Sequence, residues 1–204
     1  MKVPILIMLT GMLFFAVLQR GQAAAGPATD TVRQMLNDVI SIQTDPHLAG
    51  EQSRETRRDA IQKIIVREFD FPDMAREALG PQWEKLSTGE RSEFSAIFQD
   101  LFVDSYSRLV LDFVKNEKVL YTAEEAQGDK VMVKTSIYRV NEQIPVDYYL
   151  AETGGKWLVR DVSVDGVSIV GNYRRSFARI IQTESFAGLM KRLRLQEKVI
   201  QKLP

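Results

Sequence analysis

Near residue 116 the apolar residues stop recurring every three or four positions and begin to recur every two. That switch from a helical to an alternating period decides the class of fold open to this chain. Upstream, the stretch from Ser87 to about Lys115 carries Phe94, Ile97, Phe98, Leu101, Phe102, Leu109 and Phe113 at helical spacing, opened by a Ser87/Glu90 capping box. Downstream, four extended runs at about 118–127, 130–139, 143–153 and 156–165 are separated by hairpin connections at Gly128-Asp129, Val140-Asn141-Glu142 and Gly154-Gly155. On the second run Val131, Val133 and Ile137 alternate with Met132, Lys134 and Ser136. On the third, Ile144, Val146, Tyr148 and Leu150 alternate with Pro145, Asp147 and Tyr149. The sheet therefore has one apolar face that needs a cover.

The cover is supplied by helices. Thr31 to about Gln43 places Val32, Leu36, Val39 and Ile40 on one stripe behind Thr29 or Asp30 as cap, and Asp45, Pro46 and Gly50 end it. A second helix at about 53–68 carries Ile61, Ile64 and Ile65, and Pro72 restarts a short one that runs through Met74, Ala75 and Leu79 to Gly80. Two last helices are expected at about 169–183 and 185–201. Helices followed by an antiparallel meander predict an α+β fold, with helices packed on one side of a twisted four-stranded antiparallel sheet.

Residues 1–25 read as a removable secretory signal peptide: Lys2 precedes the apolar run Val3 to Leu18, and Ala23, Ala24 and Ala25 supply the cleavage site. The run is shorter than the roughly 20 residues a spanning helix needs. Residues 26–204 then form a single domain, and the expected location is the periplasm. Without Lys2 and Arg20 the 27 basic residues fall two short of the 27 acidic ones, which argues against a nucleic-acid partner. The chain has no cysteine, hence no disulfide framework and no thiolate metal site. Its one histidine, His47, sits in a polar loop and is expected to be solvated.

Catalysis finds little support in the residues. Asp161 and Asp165 share a strand face but stand roughly 13 Å apart, too far to share a proton or to act as a glycosidase pair. Asp161 is better read as an ion-pair or turn residue at the sheet end. Asp147 with Tyr148 or Tyr149 resembles the polar groups of a small isomerase pocket, yet neighbours on a strand point to opposite faces. There is no nucleophile elbow, Walker loop or metal-ligand spacing. Gly166 marks a turn, Ser168 fits a helix cap, and Arg174 and Arg175 are read as solvated, paired with Asp161, or in contact with a phosphate.

The segment from Trp157 to Phe177, WLVRDVSVDGVSIVGNYRRSF, resembles the most distinctive stretch of the MlaC-type proteins, also called the toluene-tolerance family. Further matches are FPDMAREALGPQW at 71–83, Phe98, Leu101, Phe102 and Tyr106 on the following helix, and IPVDY at 144–148. The resemblance covers nearly all of 30–193. Arg160 departs from it, standing where many members carry an aromatic residue.

The resemblance implies a periplasmic phospholipid carrier rather than an enzyme, with no metal and no cofactor besides the transported phospholipid. It implies a nuclear-transport-factor-like cone in which a curved sheet and helices enclose an apolar cavity for acyl tails. Its partners would be an inner-membrane MCE-domain/ABC transporter complex and an outer-membrane lipoprotein complex, between which lipid moves to maintain envelope asymmetry. The cavity wall is then expected to comprise Phe98, Phe102, Tyr106, Val133, Val146, Tyr148, Val164, Val167, Val170, Tyr173 and Phe177, with Arg174 at the headgroup. The last helix, with Phe186, Leu189, Met190, Leu193 and Ile200 on one stripe and Lys191, Arg192, Arg194, Lys198 and Lys202 elsewhere, is read either as packing on the sheet edge or as a basic docking surface. Two other classes stay open at this level: a solid structural module of the envelope, and a small-molecule enzyme on the same fold.

Overall fold

The computed structural model of the chain describes residues 26–139 and 142–200; the signal-peptide expectation lies outside them. Four helices come first: α1 (Pro27–Thr44), α2 (Arg54–Glu68), α3 (Phe71–Leu79) and α4 (Thr88–Phe113). Strands β1 (Lys118–Gln127), β2 (Lys130–Arg139), β3 (Glu142–Thr153), β4 (Lys156–Val164) and β5 (Val167–Ser168) follow, and α5 (Ile169–Ile200) closes the chain. The strands form an antiparallel meander in the order β1-β2-β3-β4-β5. The sheet has five strands rather than four, because Asp165 and Gly166, both at positive φ (54° and 76°), make a two-residue turn that folds Val167 and Ser168 back onto β4.

α1 begins at Pro27 with Gly26 as its cap, four residues before the expected start. Thr29 is not the cap. It is buried, and its N–H (2.8 Å) and Oγ1 (2.5 Å) both donate to Glu124 of β1, which fastens the helix to the sheet. The Ser87/Glu90 capping box opens α4 as its sequence pattern requires. The end of α4 is held from α1, where Nε2 of Gln43 shares its two hydrogens among the carbonyls of Val110, Leu111 and the capping residue Val114, beside the Val114 N–H that caps Val110. Ser185, at φ 68° and ψ 172°, breaks α5 into two segments close to the expected division. Beyond it Leu189, Met190 and Leu193 are buried with Phe94, while Arg192 and Arg194 pair with Glu184 and Glu93. The last helix packs mainly on other helices rather than on the sheet edge.

The apolar residues fall into two cores. One lies among α2, α3, α4 and α5 around Phe94, Phe98, Phe102 and Phe177; the other lies between α1, α2 and the inner sheet face of Val133, Val146, Tyr148, Leu150, Val159 and Val162. The junction of α2 and α3 ties them together, since the Asp70 N–H donates to the Val159 carbonyl at 2.9 Å.

Arg160, the residue that departs from the family pattern, completes that junction. Its Nε lies 3.3 Å from carboxylates of both Asp70, which caps α3, and Asp73 in the first turn of that helix, and all three side chains are largely buried. Removing one member of such a cluster strands the others. Arg160→Met is expected to cost about 2–3 kcal/mol in urea denaturation, whereas an exposed, dispensable pair would cost less than about 1 kcal/mol.

A candidate lipid cavity between the two cores

The two cores do not close on each other completely. Between them lies a cavity of about 540 Å³, within the size range of small-molecule sites. Met35, Leu36 and Val39 of α1 and Ile61, Ile64 and Ile65 of α2 wall one side. Phe102, Tyr106, Leu109, Val110 and Phe113 of α4 wall another, and Ile137, Ile144, Val146, Tyr148, Val162 and Val164 supply the sheet. Phe69, between α2 and α3, lines the cavity and packs against both cores. Its ring lies 5.6 Å from that of Phe102.

Exposure locates the mouth. Leu109 is 47%, Phe113 53% and Val167 55% accessible, although each belongs to the cavity lining. They come from the end of α4 and from β5, so the cavity opens where those elements meet the end of β2 and the start of β3. Large apolar side chains exposed together around an opening mark a place where apolar material is met.

Six of the eleven residues expected in the wall line the cavity: Phe102, Tyr106, Val146, Tyr148, Val164 and Val167. The structure does not bring the other five to it. Phe98, Val170, Tyr173 and Phe177 belong to the helical core, where Phe98 and Tyr173 meet edge to face at 5.3 Å and Tyr173 and Phe177 lie 5.4 Å apart. Val133 is fully buried in the sheet-side core, away from the lining. The reason is packing rather than polarity: α5 presses its apolar stripe against α3 and α4 instead of returning along the cavity. Arg174 is exposed, with its guanidinium against Gly80, and lies outside the lining. Ser168 of β5, Asn172 in the first turn of α5 and Arg139 at the end of β2 add polar side chains to the wall.

The sequence reading missed the α1 and α2 contributions and Arg139. The stripes of α1 and α2 were visible at helical spacing, but the sequence carries no mark that separates a residue facing a gap from one facing a neighbour.

The two tyrosines of the wall suit the acyl part of a guest. Burial pushes the Tyr148 phenol well above its ordinary range, and burial with the adjacent Tyr173 does the same to Tyr106. Both remain neutral hydroxyls at physiological pH. Asp147 stands on the opposite sheet face from Tyr148, across from Lys134, so among the described residues no acid joins a tyrosine in the cavity lining. Burial raises the Asp147 carboxyl, and Lys134 partly offsets the rise.

Asp161 is occupied structurally. Its Oδ1 accepts from the N–H groups of Val162 (2.8 Å) and Val170 (3.0 Å), and its Oδ2 accepts from the Ser168 hydroxyl, while Ser168 Oγ accepts from Gly171 N–H at 2.8 Å. From its place in β4 the aspartate makes contacts across the turn that anchor the start of α5, one of its two expected readings. No ion pair joins it to Arg174 or Arg175 among the described residues.

A second hollow of about 580 Å³ lies between α2, α4 and the end of α5. Its wall includes Arg58, Asp59, Lys63, Arg67, Asp100 and Asp104, with Arg58 and Asp104 paired at 2.6 Å. These charged groups stand among Val66, Leu101, Val103 and Ile200, so an acyl chain entering there would have to desolvate them.

Comparison with known proteins agrees with this architecture. The family described as "MlaC protein" matches residues 33–195. The toluene tolerance protein ttg2D of Pseudomonas putida is 23% identical over 180 residues, spanning 82% of this chain and 84% of that one. A phospholipid-binding protein from Ralstonia solanacearum, solved in complex with a phospholipid, superposes with a TM-score of 0.71 at 24% identity, over 87% of this chain and 100% of that one. At that identity the likeness establishes a shared fold.

Proposed function

The chain belongs to the MlaC protein family, and on that premise we propose that it is a periplasmic phospholipid carrier whose acyl-chain site is the cavity between the two cores. The observation that carries this reading is the cavity itself: an apolar wall that ends in an exposed apolar mouth. The related Ralstonia protein was solved with a phospholipid bound, which supports the same class of guest here.

The energetics explain why such a site is needed. Two acyl chains hold on the order of 30 methylenes, and at about 0.8 kcal/mol each their exposure to water costs on the order of 25 kcal/mol. Free lipid therefore cannot cross an aqueous compartment at a useful rate. A carrier with an interior as apolar as a membrane makes the transfer free energy small, so its partners set the direction of flow. We assign those partners as an outer-membrane lipoprotein complex and an inner-membrane MCE-domain/ABC transporter complex, between which the carrier would maintain lipid asymmetry. Among the described residues no helix is long and apolar enough to cross a membrane, in keeping with a shuttle. The role assigned here is transport without catalysis.

Native mass spectrometry of the purified mature protein, followed by organic extraction, tests the reading. Phospholipid in stoichiometric amount is the expected result. A protein that is empty and also takes no lipid from vesicles would favour a structural module of the envelope instead.

A further inference from the structure

We propose that Arg139 receives the phosphodiester group of the bound lipid; this rests on the carrier reading above and names the contact that tells a phospholipid from an uncharged lipid with the same tails. Arg139 is the one charged side chain in the cavity lining among the described residues. It stands at the end of β2, beside the mouth, with 28% of its side chain exposed. Its guanidinium lies over the Phe113 ring at 5.7 Å, and an Nη2 hydrogen is donated to the Phe113 carbonyl at the end of α4.

The guanidinium is short of acceptors. Its Nε is buried with no hydrogen-bond partner among the described residues, and the nearest carboxylate there, Oε1 of Glu117, is 3.5 Å from it. Glu117 is shared between the two, because its Oε2 accepts from the Lys115 N–H at 2.5 Å while Oε1 faces Arg139 as a long, competing ion pair. The buried Nε faces inward, but Nη1 carries no hydrogen bond among the described residues; a planar cation with that edge of its fork unused, held against an aromatic ring at an apolar mouth, matches the free oxygens of a phosphodiester. With tails against Leu36, Ile64 and Tyr148, a phosphate at Arg139 sits where the apolar wall meets solvent. Arg174 fails both conditions, being outside the lining and next to Gly80.

The alternative role for Arg139 is to clamp the end of α4, so the experiment must separate recognition from folding. The purified protein is incubated with vesicles holding equal phosphatidylglycerol and diacylglycerol of the same chains, and the ratio of the two lipids on the re-isolated protein is measured. Arg139→Gln is expected to lower the phospholipid-to-diacylglycerol ratio about tenfold, the size of one charge-assisted contact, with total lipid per protein retained. Glu117→Gln, which leaves Arg139 in place and removes its competing carboxylate, is expected to raise the ratio. It decides the question if Arg139→Gln fails to fold.

An unchanged ratio in both variants would overturn the assignment while leaving the carrier reading intact. A wild-type protein that takes up neither lipid would overturn the carrier reading and this contact with it. Glycerophosphoglycerol, which has the phosphodiester and no tails, is expected to displace no lipid at millimolar concentration. Displacement by it would show a site for soluble phosphate compounds and overturn the headgroup assignment.

Discussion

Replacing Val146 by glutamate is expected to reduce the phospholipid recovered with the purified protein to less than about a tenth of the wild-type amount, a change worth about 1.4 kcal/mol or more in lipid binding. Val146 is 5% exposed and lies in the middle strand of the cavity wall, between Thr135 of β2 and Val164 of β4. A carboxylate placed there must either stay hydrated or take up a proton, and both outcomes put a polar group in the path of an acyl chain. Folding also suffers, so Val167→Glu is the informative companion. Val167 is at the mouth and 55% exposed, and its substitution is expected to lower lipid content with a stability change within about 0.5 kcal/mol. If both variants retained wild-type lipid at wild-type stability, the cavity would not be the acyl-chain site.

Asp161→Ala is expected to destabilise the fold by about 4 kcal/mol. The substitution removes the acceptor for two backbone N–H groups and one hydroxyl at the junction of β4 and α5. An orphaned buried donor costs about 1–3 kcal/mol, and the three are not additive because they share one carboxylate. Asp161→Asn keeps an acceptor toward the N–H groups and is expected to lose about half as much.

The titration of Asp161 gives a second check. Burial raises its carboxyl above the ordinary value, against the three hydrogen bonds that lower it. The native state therefore holds this proton to higher pH than the unfolded chain does. The associated stability is fully present below the unfolded pKa and is lost as pH rises through the folded one. Urea denaturation across the acid range should show the stability advantage of the wild type over Asp161→Asn shrinking as pH rises through that window, then levelling off. A difference that instead grew with pH there would mean that the carboxylate is stabilised in the fold rather than penalised by burial.

Much of the architecture was legible because it is locally encoded. The period change near residue 116, the Ser87/Glu90 box and the Gly154-Gly155 turn each act within a few residues, and each appears in the structure where its pattern places it. β5 was not legible: two residues carry no period, and only the turn at Asp165-Gly166 creates the strand. The start of α1 was misplaced because Thr29 has the chemistry of a cap, and its actual partner, Glu124, is 95 residues away.

The wall residues divide on the same principle. Tyr148 and Val146 were found because they alternate on a strand whose other face is polar, so their direction follows from the backbone. Phe98 and Phe177 were assigned to the cavity on their size and apolarity, which equally suit a filled core, and they fill one.

The elements, their order, the apolar face of the sheet and the family segment from Trp157 to Phe177 all follow from local patterns of residues. Where apolar surface is left without a partner follows instead from how the elements pack. Whether Ile64 or Leu109 faces another side chain or a gap depends on the spacing and angle of α1, α2 and α4 over the sheet. Those are fixed by contacts between residues far apart in the chain, such as Gln43 with the end of α4 and Asp70 with Val159. Hydrophobicity drives burial without direction, so the same residue types build a solid core or line a cavity, and the long-range geometry makes the difference.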